Sequence, residues 1–339
     1  MGVPKRGREY STMTSREIVT RTLRFEMPER IPRNLWILPA AYLRHGERLV
    51  DLLRRYPLDI NPPVPRVPEL SPEHRKGTFQ DEWGSVWLNL QDGMAGEVKQ
   101  PAVAVWPDLA SLKSPPVWKD AETESFRERL ARAPDAFHYL VAGSLFERMQ
   151  YLRGSENLYL DLAEQPRDLL CLRDMVMDWL HRRVAKCLEH PCDAVHFADD
   201  WGSQRSLLVH PKLWRQCFKP CYAALFEQVR QGGRFVFMHS DGFILDILED
   251  LIEIGVDALN CQVWAMGPEQ LGGRCREQVT FWGELSRQTV VPHGNPADIR
   301  SAIQVMKTHL ATPAGGLIAQ SEVDGLTPLE NIEAILRPW

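Results

Sequence analysis

The stretch Arg234–Asn260, RFVFMHSDGFILDILEDLIEIGVDALN, decides the fold. It opens with a β-branched and aromatic run, Arg234 to Met238, of the kind that forms a strand covered on both faces. His239, Ser240, Asp241 and Gly242 follow at its tip, and an amphipathic helical pattern runs from Phe243 to Ile254. A further apolar run begins at Ala258. This strand–polar tip–helix–strand unit recurs along the chain. Apolar runs lie at Asn34–Pro39, Leu58–Pro63, Phe137–Gly143, Ala194–Asp200, Arg234–Ser240, Ala258–Val263, Val279–Leu285 and Gly315–Ser321. Helical patterns sit between them at Glu47–Tyr56, Leu158–Glu189, Pro211–Gln231, Pro296–Leu310 and Pro328–Leu336. Eight such alternations predict an α/β fold, a single (β/α)8 TIM barrel.

Helix starts carry their own signals. Thr14 and Glu17 form a capping box, and Pro28 and Pro32 are expected to end that helix. Asn295, Pro296 and Asp298 stand at N-cap, N1 and N3, and Thr327 with Glu330 repeats the device. The segment from about 66 to 118 breaks the rhythm. It is rich in Pro, Gly and Trp, and FQDEWGSVWLNLQDG (79–93) predicts a hairpin within an insertion at the active face. The barrel is expected over 14–339 and a flexible tail over 1–13.

With 339 residues, 44% of them hydrophobic, the chain can bury a full core. A net charge of −5 without a basic stripe argues against nucleic acid as a partner. No apolar run reaches membrane length, and the opening MGVPKRGREYSTMTSRE lacks a signal-peptide core. Seven scattered cysteines read as reduced thiols of a cytoplasmic protein, with Cys217 and Cys221 sharing one helix face.

In a parallel barrel, reactive groups come from the C-terminal strand ends. Those ends read Asp199-Asp200-Trp201 with Gln204, His239-Ser240-Asp241, Asn260-Cys261-Gln262, Gly283-Glu284 and Gln320-Ser321-Glu322. Carboxylates after apolar strands must share partners, bind a cation or face a wet pocket. His239 and Asp241 are two apart, so an extended strand end points both to one side, where they can grip a cation or relay a proton. The alternative for Asp241 is a helix N-cap. Of Asp199 and Asp200, one is expected to be structural and one to face the pocket. Trp36, Trp201 and Trp282 are candidate walls of an apolar pocket, or core packing.

Taken together, FADDWGSQRSLLVHP (197–211), FMHSDGFILDILEDLIEIGVDALN (237–260), FWGELSRQTVVPHGNPADIR (281–300) and LTPLENIEAIL (326–336) resemble the uroporphyrinogen decarboxylase superfamily. The resemblance continues through DEWGSVW (81–87), AGEVKQP (95–101) and LFERMQYLRGSENLYLDLAEQP (145–166), in collinear order. It implies a (β/α)8 barrel and one of two chemistries, decarboxylation of uroporphyrinogen or methyl transfer to or from a corrinoid. The decarboxylases carry an RQAGR motif after the first strand. Here LWILPAAYLRHGER (35–48) supplies Arg44 and Arg48 without that motif. The thiol-methylating members bind zinc through a His-x-Cys pair and a distant Cys. The His falls on His239, and the cysteines fall on Asp241 and near Ser321. The resemblance therefore implies a harder N/O metal site from His239, Asp241 and Glu322, suited to an oxygen substrate.

The expected function is methyl transfer between a small methylated compound, such as a methyl ether, and a corrinoid, free or on a partner protein. In this reading Asp199, Asp200, His239 and Asp241 are catalytic. Gln204, Gln262 and Glu284, with the three tryptophans, bind substrate. The insertion docks the corrinoid protein, and the family implies a homodimer. The alternatives are a lyase acting on a smaller carboxylate held by Arg44, Arg48 or Arg205, and a non-catalytic corrinoid or tetrapyrrole binder.

Overall fold

The computed structural model describes residues 13–337 and 339; the expected tail thus lies outside the described residues except for Met13. Its strands are β1 (Trp36–Ile37), β2 (Gly77–Gln80), β3 (Val86–Asn89), β4 (Glu97–Gln100), β5 (Tyr139–Gly143), β6 (Ala194–Ala198), β7 (Phe235–Ser240), β8 (Ala258–Cys261), β9 (Thr280–Gly283), β10 (Leu317–Ala319) and β11 (Glu322–Val323). β5 to β10 form one parallel sheet in sequential order. Parallel order at every step is what a strand–helix repeat produces.

Two further extended segments complete the cylinder. β1 pairs parallel with β11, and Arg33 bridges to Ala319. The amide of Asp59 donates to Arg33 O at 2.9 Å, and that of Asn61 donates to Phe137 O at 3.0 Å. The segment around Ile60 therefore sits between β1 and β5 as the second position of an eight-fold (β/α) barrel. All eight apolar runs of the sequence occupy these positions.

Inside the cylinder, Ile60, Phe137, Ala194, Phe237, Ala258, Trp282 and Ile318 make one closed apolar cluster. Val19 and Leu23 of the first helix, Ser15–Arg24, join it. That helix plugs the N-terminal end of the barrel, where the Gly316 amide and the Thr280 hydroxyl both donate to Thr22 O. The larger core lies outside the strands, beneath the surrounding helices. With one end plugged and the interior filled, only the C-terminal end remains for a site.

Local signals fared unevenly. The capping boxes at Thr14 and Asn295 are both present. The first helix ends at Phe25 in the left-handed conformation, φ 56°, before either proline. The last helix, Leu329–Leu336, has Pro328 at its N-cap, because the Thr327 hydroxyl is taken by Asp324 Oδ1 at 3.0 Å. The expected hairpin is the β2–β3 pair, and β4 extends it to a three-stranded antiparallel sheet. Asp81 turns that hairpin by accepting from the amides of Trp83 and Ser85. Ser85 Oγ donates to Tyr151 O at 2.9 Å and Arg148 pairs with Asp81 at 3.1 Å, fixing the insertion to the helix after β5. All seven cysteines are free thiols. No described helix is long and apolar enough to cross a membrane.

Candidate active site at the barrel mouth

β6 and β7 deliver the centre of the site. Their loops cross at Gly202, two residues after Asp200, and Gly242, directly after Asp241. A Cβ on Gly242, which has φ +80°, would lie 2.1 Å from Gly202 O, and one on Gly202 would lie 2.3 Å from the Phe243 amide nitrogen. Only glycine fits either position. The crossing is tied by Gly202 N to Asp241 O at 3.1 Å and Phe243 N to Ser203 O at 2.7 Å. This backbone lock sets Asp200 beside His239 and Asp241.

Adjacent residues of an extended chain face opposite sides, and the Asp199–Asp200 pair divides accordingly. Asp199 is fully buried and turns outward. It accepts from the amides of Leu145, Phe146 and Glu147 at 3.1, 2.8 and 2.7 Å, at the start of the helix Phe146–Arg153, and from the Tyr222 hydroxyl. Burial pushes its acid up to about 7 against those four donors. It is an anchor for that helix, which corrects its expected place among the catalytic groups. Asp200 turns inward, with its side chain 39% exposed. Its Oδ1 lies 3.4 Å from His239 Nε2 and accepts from the Asp241 amide at 2.9 Å. Burial would raise its pKa, but the imidazolium and that amide hold it below the usual carboxylate range.

Asn260 orients His239. Its amide nitrogen donates to Trp282 O at 2.6 Å and to Gln320 Oε1 at 3.0 Å, so Oδ1 is the atom that meets His239 Nδ1 at 2.5 Å. Nδ1 therefore donates to Asn260, and Nε2 faces Asp200 and Asp241, at 3.4 and 3.6 Å. Burial alone would lower the imidazole pKa; the hydrogen bond and charge of Asp200, with Asp241 behind it, raise it to about 9. Trp36 packs edge-on against the ring at 5.1 Å.

The third expected metal ligand, Glu322, is held elsewhere. Arg287, which sequence reasoning missed, pairs with Glu322 at 2.6 Å, with Glu284 at 3.1 Å and with Asp241. The group that can share one ion is instead Asp200, His239 and Asp241, whose ligand atoms lie within 4.8 Å of one another. One imidazole nitrogen and two carboxylate oxygens suit a borderline or hard divalent ion, and the Asn260 bond fixes the tautomer that frees Nε2 for it. Ser321 is fully buried, and its hydroxyl accepts from the Leu285 amide.

Two recesses open here. One, about 290 Å³, is lined by Gln204, Gln262, Trp264, Glu284 and Arg287 among others. The other, about 350 Å³, is lined by Trp36, Asn61 and Glu322. The remaining candidate walls lie apart from both. Trp201 is fully buried outside the barrel against Trp214 and Tyr222, each at 5.3 Å. Trp282 is fully buried in the barrel interior, where its Nε1 donates to Asn34 at 3.0 Å. Trp36 alone of the three lines a recess. Arg44 donates to Gly325 O at 2.6 Å, and Arg48 and Arg205 are exposed.

Glu147 and His196 were also missed. Glu147 accepts from Tyr151 at 2.5 Å; burial, with the charges of Asp200 and Asp199, pushes it up to about 8. His196 sits beneath Trp36 between Tyr139 and Trp282, and burial lowers it to about 3. A polar residue inside an apolar strand was the available signal for His196. For Arg287 the signal was charge balance, since so many acids at one rim require a cation.

An eight-fold α/β barrel with a His–carboxylate centre at its C-terminal mouth is the class of protein that fold and site define. The model of the uroporphyrinogen decarboxylase (URO-D) family matches residues 106–337, and the chain belongs to that family. A methyltransferase from Methanosarcina mazei has a similar structure, with a TM-score of 0.69 at 14% identity over 96% of this chain and 97% of that one. Weaker likenesses are a xylose isomerase-like TIM barrel protein from Mycobacterium smegmatis (TM-score 0.36, 14% identity, 65% and 78% covered) and the Bacillus cereus spore cortex-lytic enzyme SleL (0.44, 10%, 91% and 74%). No curated protein matches the sequence.

Proposed function

We propose that the protein is a methyltransferase that removes a methyl group from the oxygen of a small substrate and passes it to a corrinoid, carried by a partner protein that docks on the insertion. One observation carries this reading. Asp200, His239 and Asp241 converge at the mouth with Nε2 turned toward the carboxylates, an N/O donor set in place of the thiolates that suit sulfur chemistry. A divalent ion there would supply a Lewis acid for the substrate oxygen. The corrinoid would supply the nucleophile. The chain's own residues do the rest. Asn260 holds the imidazole in register, the Gly202–Gly242 crossing fixes the spacing of the carboxylates, and Arg287 keeps Asp241 aimed. The insertion touches the mouth where the Ala40 amide donates to Gly93 O, so a partner seated on it would overhang the site.

The family's decarboxylase chemistry is less well served. A substrate bearing several carboxylates needs several free cations. Among the described residues, Arg287 is the one cation lining the two recesses, and three acidic side chains already hold it. The test is a methyl-transfer assay with cob(I)alamin and a panel of methyl ethers, scored by the cobalt spectrum. Wild type should consume the reduced form and His239→Ala should not, with stoichiometric zinc or cobalt bound only by wild type. Uroporphyrinogen turnover without ether turnover would overturn the reading.

A further inference from the structure

We propose that the recess bounded by Gln204, Gln262, Trp264 and Glu284 is the subsite for the part of the methyl donor that stays behind. We further propose that this part is neutral and hydroxylated, and that Glu284 passes a proton to its oxygen as the methyl leaves. The inference rests on the methyltransferase reading and adds the substrate class and a proton donor.

The recess adjoins the His239 centre through Arg287, which lines it and binds Asp241. Its volume of about 290 Å³ is at the small end of ligand pockets, ~300–1,000 Å³, which suits one small ring rather than a macrocycle. Three of its lining side chains, Gln204, Gln262 and Gln288, are neutral amides that both donate and accept, as hydroxyl recognition requires. Its one cation among the described residues is Arg287, which is taken by Asp241, Glu284 and Glu322, so a substrate carboxylate would meet acids and no free positive charge.

Two lining residues carry buried polar atoms without a hydrogen-bond partner among the described residues: Glu284 Oε2 and Trp264 Nε1. Leaving such atoms unpaired costs stability that a ligand can return. Glu284 Oε1 lies 3.1 Å from Arg287 Nε, so Oε2 is the oxygen left to bear a proton. Burial pushes that acid up to about 8, which keeps it protonated near neutrality. A protonated Oε2 and an indole N–H are both donors, matched to an ether or hydroxyl oxygen rather than to a cation.

The step balances. The methyl C–O bond breaks and its electron pair stays on oxygen. That oxygen takes the proton from Glu284 Oε2 and leaves as an alcohol or phenol. The methyl carbon bonds to the acceptor's nucleophile, which supplies the other pair. Solvent later returns the proton to Glu284.

The experiment compares 2-methoxyphenol, whose oxygen leaves poorly, with 4-nitroanisole, whose phenoxide leaves without a proton. Wild type and Glu284→Gln are followed by the cobalt spectrum. Glu284→Gln should slow 2-methoxyphenol by about a hundredfold or more and 4-nitroanisole by less than about fivefold. Equal losses on both donors, or none, would overturn the proton-donor role. Calorimetry with catechol and benzoate on wild type and Trp264→Phe tests the subsite without turnover. Wild type should prefer catechol at least about tenfold, and Trp264→Phe should bind it about five- to tenfold more weakly. Equal affinity for benzoate, or an unchanged Trp264→Phe, would overturn the subsite. Wild type inactive on every donor but selective for catechol would sink the methyltransferase reading and the proton step while leaving the subsite standing.

Discussion

Replacing Arg287 by Gln removes the cation shared by Asp241, Glu284 and Glu322. At the 2.6 Å separation to Glu322 the attraction is about 6 kcal/mol at an effective dielectric near 20, while Glu284, held protonated near neutrality, adds little. Much of that only offsets the desolvation of the four groups, since the arginine side chain is 20% exposed and Glu284 only 3%. Removing one partner from such a cluster leaves acids stranded, and the net loss is about 3–5 kcal/mol. The loss depends on pH. Without Arg287, Asp241 and Glu322 lose the cation that pairs with their ionised forms, and Glu284 loses the strongest neighbour that draws its raised pKa back down against burial. The loss is felt where these acids are ionised, so the deficit grows as pH rises above the carboxylate range. Urea unfolding at pH 5.5 and pH 8.5 should show a deficit of about 3–5 kcal/mol at the higher pH and about half that or less at the lower. Arg287→Lys, which keeps the charge but not the fork, should fall between. A variant as stable as wild type at pH 8.5, or a deficit equal at both pH values, would refute the argument.

Three further outcomes follow from the same geometry. Asp199→Ala should destabilise by about 2–4 kcal/mol, because three amides and a tyrosine lose their acceptor; lost activity at unchanged stability would return Asp199 to the chemistry. Asn260→Leu should weaken zinc binding about 10–100-fold in a competition titration by freeing the His239 ring, and undiminished affinity would exclude the metal site as drawn. Glu284 is raised from 4.5 to about 8, so wild-type stability is fully present below about pH 4.5 with respect to this group and declines as pH rises toward 8. Glu284→Gln should lack that component. Its stability relative to wild type should improve by about 2–4 kcal/mol between pH 5 and 8.5, and parallel pH curves would count against the raised pKa.

The glycines after Asp200 and Asp241 show how chemistry and architecture share a motif. DDWG and HSDG each follow a strand with a carboxylate and, two positions and one position on respectively, a residue without a side chain. The glycine lets the two backbones meet, and the meeting sets the carboxylates together. Reading the acids without the glycines finds the ingredients but not the device that assembles them.

The sequence by itself determined the strand–helix repeat, the insertion, the end of the barrel that carries the site, and His239 and Asp241 as neighbours. These follow from local periodicity, because a buried parallel strand is apolar throughout and its polar tip is visible as an interruption. Only the tertiary structure decided which aspartate faces inward, that Asp200 replaces Glu322 beside His239, and that Trp201 packs behind the barrel. Those outcomes depend on strand rotation and on a guanidinium forty-six residues beyond Asp241 along the chain. Charge pairing across a barrel rim is set by distance in space, and separation in sequence carries almost no record of it.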